Sequence, residues 1–189
     1  MSERRFAPSK MARLDNPERR KALPPEKILT ESMLGPSNDV LDLGAGTGYF
    51  TVPAAKMTKG TVYALDVEPQ MLDFLKNRVQ EEQLTNVEFI QGVIEEIPMD
   101  NETVDFVIAS FVLHEVEPLS KGVDEILRIL KPEGRCVCIE WEKKQTEQGP
   151  PLGHRINSDD MKAAFLQKGF RDVAVSYPSD AHYIMIAYK

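Results

Sequence analysis

The residues best suited to chemistry gather first at Val40–Tyr49, "VLDLGAGTGY", where an apolar run opens into Gly44, Gly46 and Gly48 with Asp42 just ahead. A glycine loop between a strand and a helix exposes backbone N–H groups to a bound molecule, and the helix start favours negative charge. Phosphate is therefore the first ligand to weigh. A triphosphate loop would end in Gly-Lys-Ser/Thr, which is missing. A dinucleotide pyrophosphate asks for G-x-G-x-x-G, whereas the spacing here is G-x-G-x-G followed by Tyr49. Asp42 is placed to hold an ammonium, directly or through water. Asp66 comes 20 residues after Gly46, at the end of the next apolar run. A carboxylate there accepts from two ribose hydroxyls, although Asp66 also suits a plain helix cap ahead of Pro69. The pattern asks for a ribose, an amino-acid-like end and no pyrophosphate.

Acid–base chemistry would fall to histidine. His114, in "FVLHEV", follows an apolar run at the edge where α/β sheets place ligands. It suits a base or a pocket wall, and equally a structural histidine bonded to backbone. His154 and Arg155, in "GPPLGHR", sit on a loop stiffened by its prolines and are expected at an acceptor site on that edge, against a surface role. His182 is expected to be merely exposed beside a turn. Glu140 and Trp141 close "CVCIEW" and should point to the same edge, where a tryptophan stacks on a flat acceptor or packs against the loop. Cys136 and Cys138, two apart on one strand, read as small buried thiols of a reducing compartment. Neither a disulfide nor a metal site is expected from them.

The elements that must position these groups alternate. Val40–Leu43 is a strand and Thr47–Met57 a helix; Thr61–Leu65 is a strand and Pro69–Glu82 an amphipathic helix carrying Met71, Leu72, Leu75 and Val79. Val87–Ile90 and Val104–Ser110 are further strands. The helix Leu119–Leu130 then leads to a fifth, Gly134–Trp141. Most of these strands are apolar throughout rather than alternating, as parallel strands buried on both faces are. After a helix capped by Ser158 come Arg171–Tyr177 and His182–Tyr188, joined by a link too short for a crossover, hence an antiparallel hairpin. The expected fold class is α/β: a doubly wound, Rossmann-like seven-stranded sheet, mostly parallel, with an antiparallel C-terminal hairpin. Residues 37–189 form its domain. Residues 1–36 form an N-terminal helical segment, in which Asn16 caps a helix starting at Pro17, and Ile28, Leu29 and Met33 share one face of a second helix. Phe6, Lys10, Arg13 and the "PERRK" run are placed to fold over a cofactor as a lid.

With 189 residues and 42% hydrophobic content, the chain suits one globular domain that needs no staple. The net charge of -7 speaks against nucleic acid as the main partner, although the first 21 residues carry seven Lys/Arg against three acids. No apolar run is long enough to span a bilayer. The amino terminus has charge but no apolar stretch, so it does not read as a secretory signal, and the expected location is cytoplasmic.

S-adenosylmethionine has the parts the first two motifs ask for. With the later motifs the sequence resembles a class I S-adenosylmethionine-dependent methyltransferase, in the branch that includes ubiquinone/menaquinone-biosynthesis methyltransferases. The resemblance covers roughly residues 38–142. It rests on "VLDLGAGTGYF", "VYALDVEPQMLDFLK", "IQGVIEEIPMDNETVDFVIASFVLHEV" and "EILRILKPEGRCVCIEW". It implies that Gly44, Ala45, Gly46 and Gly48 line the methionine end beside Asp42, and that Asp66 binds the ribose. Val67 and Met71 would pack near the adenine, with Gly92, Val93 and Ile94 along its edge; Met71 occupies a helix-core position in any case. Ser110 and Phe111 would face the sulfonium. Val93 departs from the pattern, since an acid is common there, and adenine recognition would pass to backbone atoms or Glu95. The implied activity is methyl transfer to a small-molecule acceptor, with S-adenosylhomocysteine as product. The alternative is a regulatory module that binds the cofactor without turnover.

Overall fold

The computed structural model describes residues 17–189; Phe6, Lys10, Arg13 and Asn16 lie outside the described residues. The strands are β1 (Val40–Leu43), β2 (Val62–Asp66), β3 (Val87–Gln91), β4 (Val104–Ser110), β5 (Leu130–Trp141), β6 (Arg171–Ser179) and β7 (His182–Tyr188). They form a seven-stranded sheet in the order β3-β2-β1-β4-β5-β7-β6. The first five are parallel, and β7 runs antiparallel to both β5 and β6. This is the doubly wound sheet with a terminal hairpin that the sequence predicts.

Side-chain alternation along each strand sends neighbours to opposite faces. Leu41, Leu43, Val107, Ala109, Cys136 and Cys138 pack on one face with α5 (Leu119–Ile129) and α6 (Ser158–Gln167). Val40, Val62, Phe106, Ile108, Val137 and Ile139 pack on the other with α2 (Pro25–Glu31) and α3 (Thr51–Met57). Leu75 and Val79 of α4 (Pro69–Glu81) cover Ala64. Both cysteines are free and fully buried in this core. Ahead of α2 lies the short α1 (Pro17–Ala22), with proline at its first position.

The fifth strand begins at Leu130 rather than Gly134, and four further local details differ from the sequence reading. The helix after the glycine loop starts at Thr51 rather than Thr47, because Gly48 at φ 84° is incompatible with helical backbone. Met33 falls outside α2, at φ 59° and 58% exposed, so only Ile28 and Leu29 form the buried face. Asn157, not Ser158, caps α6: its Oδ1 accepts from the Asp160 N–H at 2.7 Å, while Ser158 Oγ donates to Glu142 Oε2 at 2.7 Å. Finally, β6 runs on to Ser179, which leaves only Asp180 and Ala181 to join the hairpin.

Candidate functional site

The strand order reverses between β1 and β4, the place where an open α/β sheet leaves a crevice beyond its strand ends. A cavity of about 1120 Å³ lies there, lined from the ends of β1, β2, β4, β5 and β7 and by α1.

Its floor is the glycine loop. Gly44, Gly46 and Gly48 all have positive φ, at 64°, 54° and 84°. A Cβ on Gly44 would lie 2.6 Å from Val112, and one on Gly48 only 2.3 Å from Leu75. Conformation and space therefore both demand glycine at these two positions. The loop is tied to β2 through Ala45 N–H to Leu65 O (2.9 Å) and Gly46 N–H to Asp66 Oδ2 (2.8 Å). The other Asp66 oxygen accepts from Glu68 N–H at 2.9 Å. A carboxylate has about four acceptor sites, so roughly two remain for a ligand. Burial raises the Asp66 carboxyl above its ordinary value, and its backbone N–H bonds pull the other way.

Asp42 lies deeper, 3% exposed, and accepts from Thr51 Oγ1 at 2.6 Å. Burial pushes its carboxyl up to about 7, with the Asp66 charge adding to the rise and the Thr51 hydrogen bond opposing it. A group so placed gains most from a cation, which stabilises the charged form that burial penalises.

Val67, Met71, Gly92, Val93, Ile94 and Glu95 line the adjoining end of the cavity. The loop that follows is held by Arg128 of α5, which donates to Ile97 O (2.9 Å) and Met99 O (2.7 Å) while pairing with Glu125 at 2.7 Å. Ser110 and Phe111 line the middle. Phe111 takes φ 55° and donates its N–H to Ile139 O at 2.8 Å, which turns the chain across the end of β5.

Beyond them stands an aromatic wall. Trp141 and His182 are directly opposed in the β5–β7 register, with ring centroids 4.1 Å apart. Phe111 lies 5.7 Å from Trp141 and 5.4 Å from His182. His182 is thus a half-buried wall residue, not the exposed turn residue expected. Burial, with the charges of Arg19 and Arg155, pushes its ring down to about 4, so it is neutral near pH 7. The β5–β7 register sets this pairing, which brings together residues far apart in the chain. Arg19 of α1 lies 4.0 Å over the Tyr49 ring and 5.1 Å over Phe111, closing the cavity from above.

On the other face of the sheet edge, His114 Nδ1 lies 3.0 and 2.9 Å from the two carboxylate oxygens of Glu140. Both residues are buried, at 6% and 1% exposure, and His114 lines the cavity. Glu140 thus points inward to His114 rather than into the open edge. His154 also lines the cavity, on the loop that carries Pro150 and Pro151.

Arg155 is placed differently. Its guanidinium donates to Pro150 O (2.9 Å), Lys144 O (2.7 Å), Gln148 O (2.8 Å) and Thr146 Oγ1 (2.8 Å), and lies 5.0 Å over the Trp141 ring. It ties the loop and backs the aromatic wall without lining the cavity. A buried cation takes the nearest acceptors, and this loop offers backbone carbonyls on every side. Gly48, likewise, shapes the loop from behind. Among the described residues there is no cluster of three or more potential metal ligands, and no helix is long and apolar enough to cross a membrane.

Comparison with known proteins agrees with this geometry. A family model described as a methyltransferase domain matches residues 41–138. The crystal structure of a SAM-dependent methyltransferase from Aquifex aeolicus superposes with a TM-score of 0.90 at 32% identity, covering 97% of this chain and 99% of that one. A ubiquinone/menaquinone biosynthesis C-methyltransferase UbiE from Marinomonas sp. (strain MWYL1) is 30% identical over 63% of this chain and 49% of its own length. A demethylmenaquinone methyltransferase from Geobacillus sp. (strain WCH70) is 36% identical over 61% and 48%. The chain spans about half the length of these curated relatives.

Proposed function

The chain belongs to the methyltransferase domain family, and on that premise we propose that it binds S-adenosylmethionine in this cavity and methylates a small-molecule acceptor. When bound, that cofactor supplies an electrophilic methyl group on a sulfonium, open to in-line displacement by an aligned nucleophile.

The observation that carries the reading is the pair of carboxylates about the Gly46 backbone. Asp42, whose burial penalises its charged form, would meet the ammonium of the amino-acid end. Asp66 keeps acceptor capacity for two ribose hydroxyls while its own bonds to Gly46 and Glu68 N–H hold it in place. Val67, Met71 and Ile94 give the adenine an apolar slot. The Val93 side chain offers no acceptor, so the adenine amine would be met by backbone atoms or by Glu95 on the same wall. Ser110 and Phe111, in the middle of the cavity wall, would face the sulfur.

Past that point the cavity continues to the Phe111–Trp141–His182 wall, which fits a flat acceptor laid against rings. The ubiquinone/menaquinone names of the relatives agree with a planar acceptor of that kind. Space for an acceptor beside the sulfur favours turnover over mere retention of the cofactor. The protein's part is alignment and exclusion of water, worth on the order of 7–11 kcal/mol in favourable cases. The α1 segment, with Glu18, Arg19 and Ala22 on the cavity, acts as the lid. His154 stands on the acceptor side, and Arg155 shapes that side through its loop.

Titration calorimetry tests the reading. S-adenosylmethionine and S-adenosylhomocysteine should bind one site per chain and NAD should not. Indifference to the first two would refute it.

A further inference from the structure

The His114–Glu140 pair has a form that cofactor binding does not require. The end of β5 turns Glu140 to the face opposite Trp141, and both its oxygens meet one nitrogen of one buried imidazole. The same carboxylate accepts from the His114 N–H and the Trp141 N–H, each at 3.3 Å, so its position is fixed by backbone as well. An ionised carboxylate only accepts, so Nδ1 must carry the proton. When the ring is neutral, Nε2 is then the bare nitrogen. Glu115 Oε1 lies 4.0 Å from it, beyond hydrogen-bond range. His114 belongs to the cavity wall that also holds Ser110 and Phe111.

We propose that His114 is the general base of this site, with Glu140 as its positioning residue, and that the acceptor is a planar phenol which loses its hydroxyl proton to His114 Nε2. In that step the O–H bond breaks and its electron pair stays on oxygen. The proton forms Nε2–H, and Glu140 stabilises the resulting imidazolium through Nδ1–H. The phenolate so formed is nucleophilic at oxygen and at its ortho carbons. The ring lies on the Phe111–Trp141–His182 wall, whose histidine stays neutral and does not compete for the proton. The inference rests on the proposed methyl transfer for the role of the cavity, but the state of His114 is separately measurable.

The charges around the ring favour its basicity. Burial alone would lower its pKa; Glu140, by charge and hydrogen bond, and Glu115 outweigh burial and the opposing charge of Arg155, so the ring titrates above its ordinary value. A base strengthened by its carboxylate neighbours suits an acceptor that is itself a weak acid.

The test begins with the full chain labelled with 15N at histidine, saturated with S-adenosylhomocysteine. The expected spectrum shows protonated Nδ1 and bare Nε2 for His114 above its titration point, and a titration point that drops in Glu140→Gln. The opposite tautomer, or a titration point unmoved by Glu140→Gln, would overturn the pairing. The second arm adds 4-nitrophenol, whose phenolate absorbs in the visible. It should bind wild type in the ionised form at a pH where it is neutral in solution, and bind His114→Gln in the neutral form. Failure to bind at millimolar concentration, or equal ionisation in His114→Gln, would overturn the base or the phenol. With any phenol found to be methylated, His114→Gln should lower kcat by about 10²-fold or more while leaving cofactor KM unchanged. Glu140→Gln should move the acid limb of the pH–rate profile to lower pH, which a purely structural role would not do. Loss of S-adenosylhomocysteine binding in wild type would instead refute the methyl-transfer reading, so the two failures are told apart.

Discussion

Asp42→Asn separates stability from binding in one substitution. The wild-type carboxyl is buried and pushed up to about 7 from the ordinary 3.8. At about 1.4 kcal/mol per tenfold change, keeping it ionised in the empty protein costs on the order of 4 kcal/mol. A raised carboxyl makes the folded state hold its proton longer than the unfolded state does. Its contribution to stability is therefore greatest below about pH 4 and is lost as pH climbs towards about 7. Asparagine has no such term, and its Oδ1 still accepts from Thr51 Oγ1, so the packing is kept. Urea unfolding should show the variant gaining on wild type by roughly 2–3 kcal/mol between about pH 5 and pH 8, with unchanged m-value. In the same variant the affinity for S-adenosylhomocysteine should fall, because the ammonium loses its counter-charge. Wild type should release a fraction of a proton on binding near neutral pH, read by calorimetry in buffers of different ionisation enthalpy, and the variant should release none. Parallel stability profiles for the two proteins would refute the claim that burial penalises the charged carboxyl here and that a cation would relieve the penalty.

Other consequences are as direct. Asp66→Asn should weaken S-adenosylhomocysteine roughly 10–100-fold in calorimetry, since a charge-assisted hydrogen bond to a hydroxyl is worth about 1.5–3 kcal/mol. Gly48→Ala meets both φ 84° and a Cβ 2.3 Å from Leu75, and should destabilise the fold by about 2 kcal/mol or more in urea, with cofactor affinity reduced. Arg155→Ala removes a cation that donates to several loop acceptors. It should raise the acceptor KM and speed proteolysis of the 143–154 loop, leaving S-adenosylhomocysteine affinity within about twofold.

Periodicity and spacing settled more of this protein than its single residues did. Nearly continuous apolar runs at Val40–Leu43 and Val104–Ser110, alternating with amphipathic helices, are the pattern of strands buried between two helical layers, so the parallel sheet was legible in the order of the residues. The spacing Gly44, Gly46, Gly48 and then Asp66 was legible for a similar reason: positive φ narrows the choice of residue, and a carboxylate at a strand end has few purposes. Local errors arose where tertiary contact competes with propensity. Asn157 and Ser158 are both good caps, and only Glu142 reaching Ser158 Oγ decided between them.

The acceptor side was decided in three dimensions. His182 lies 41 residues from Trp141 in the chain, yet the β5–β7 register stacks them. Glu140 and Trp141 are neighbours in sequence but face opposite sides of the sheet, so one orients His114 and the other forms the wall. Arg155 adjoins His154 in sequence, but its long side chain finds loop carbonyls before it finds the cavity. A strand's two-residue period and the glycine loop are local properties that the amino-acid order carries by itself. Which side chains meet across strands depends on register and on turn length, and those are set only when the sheet closes.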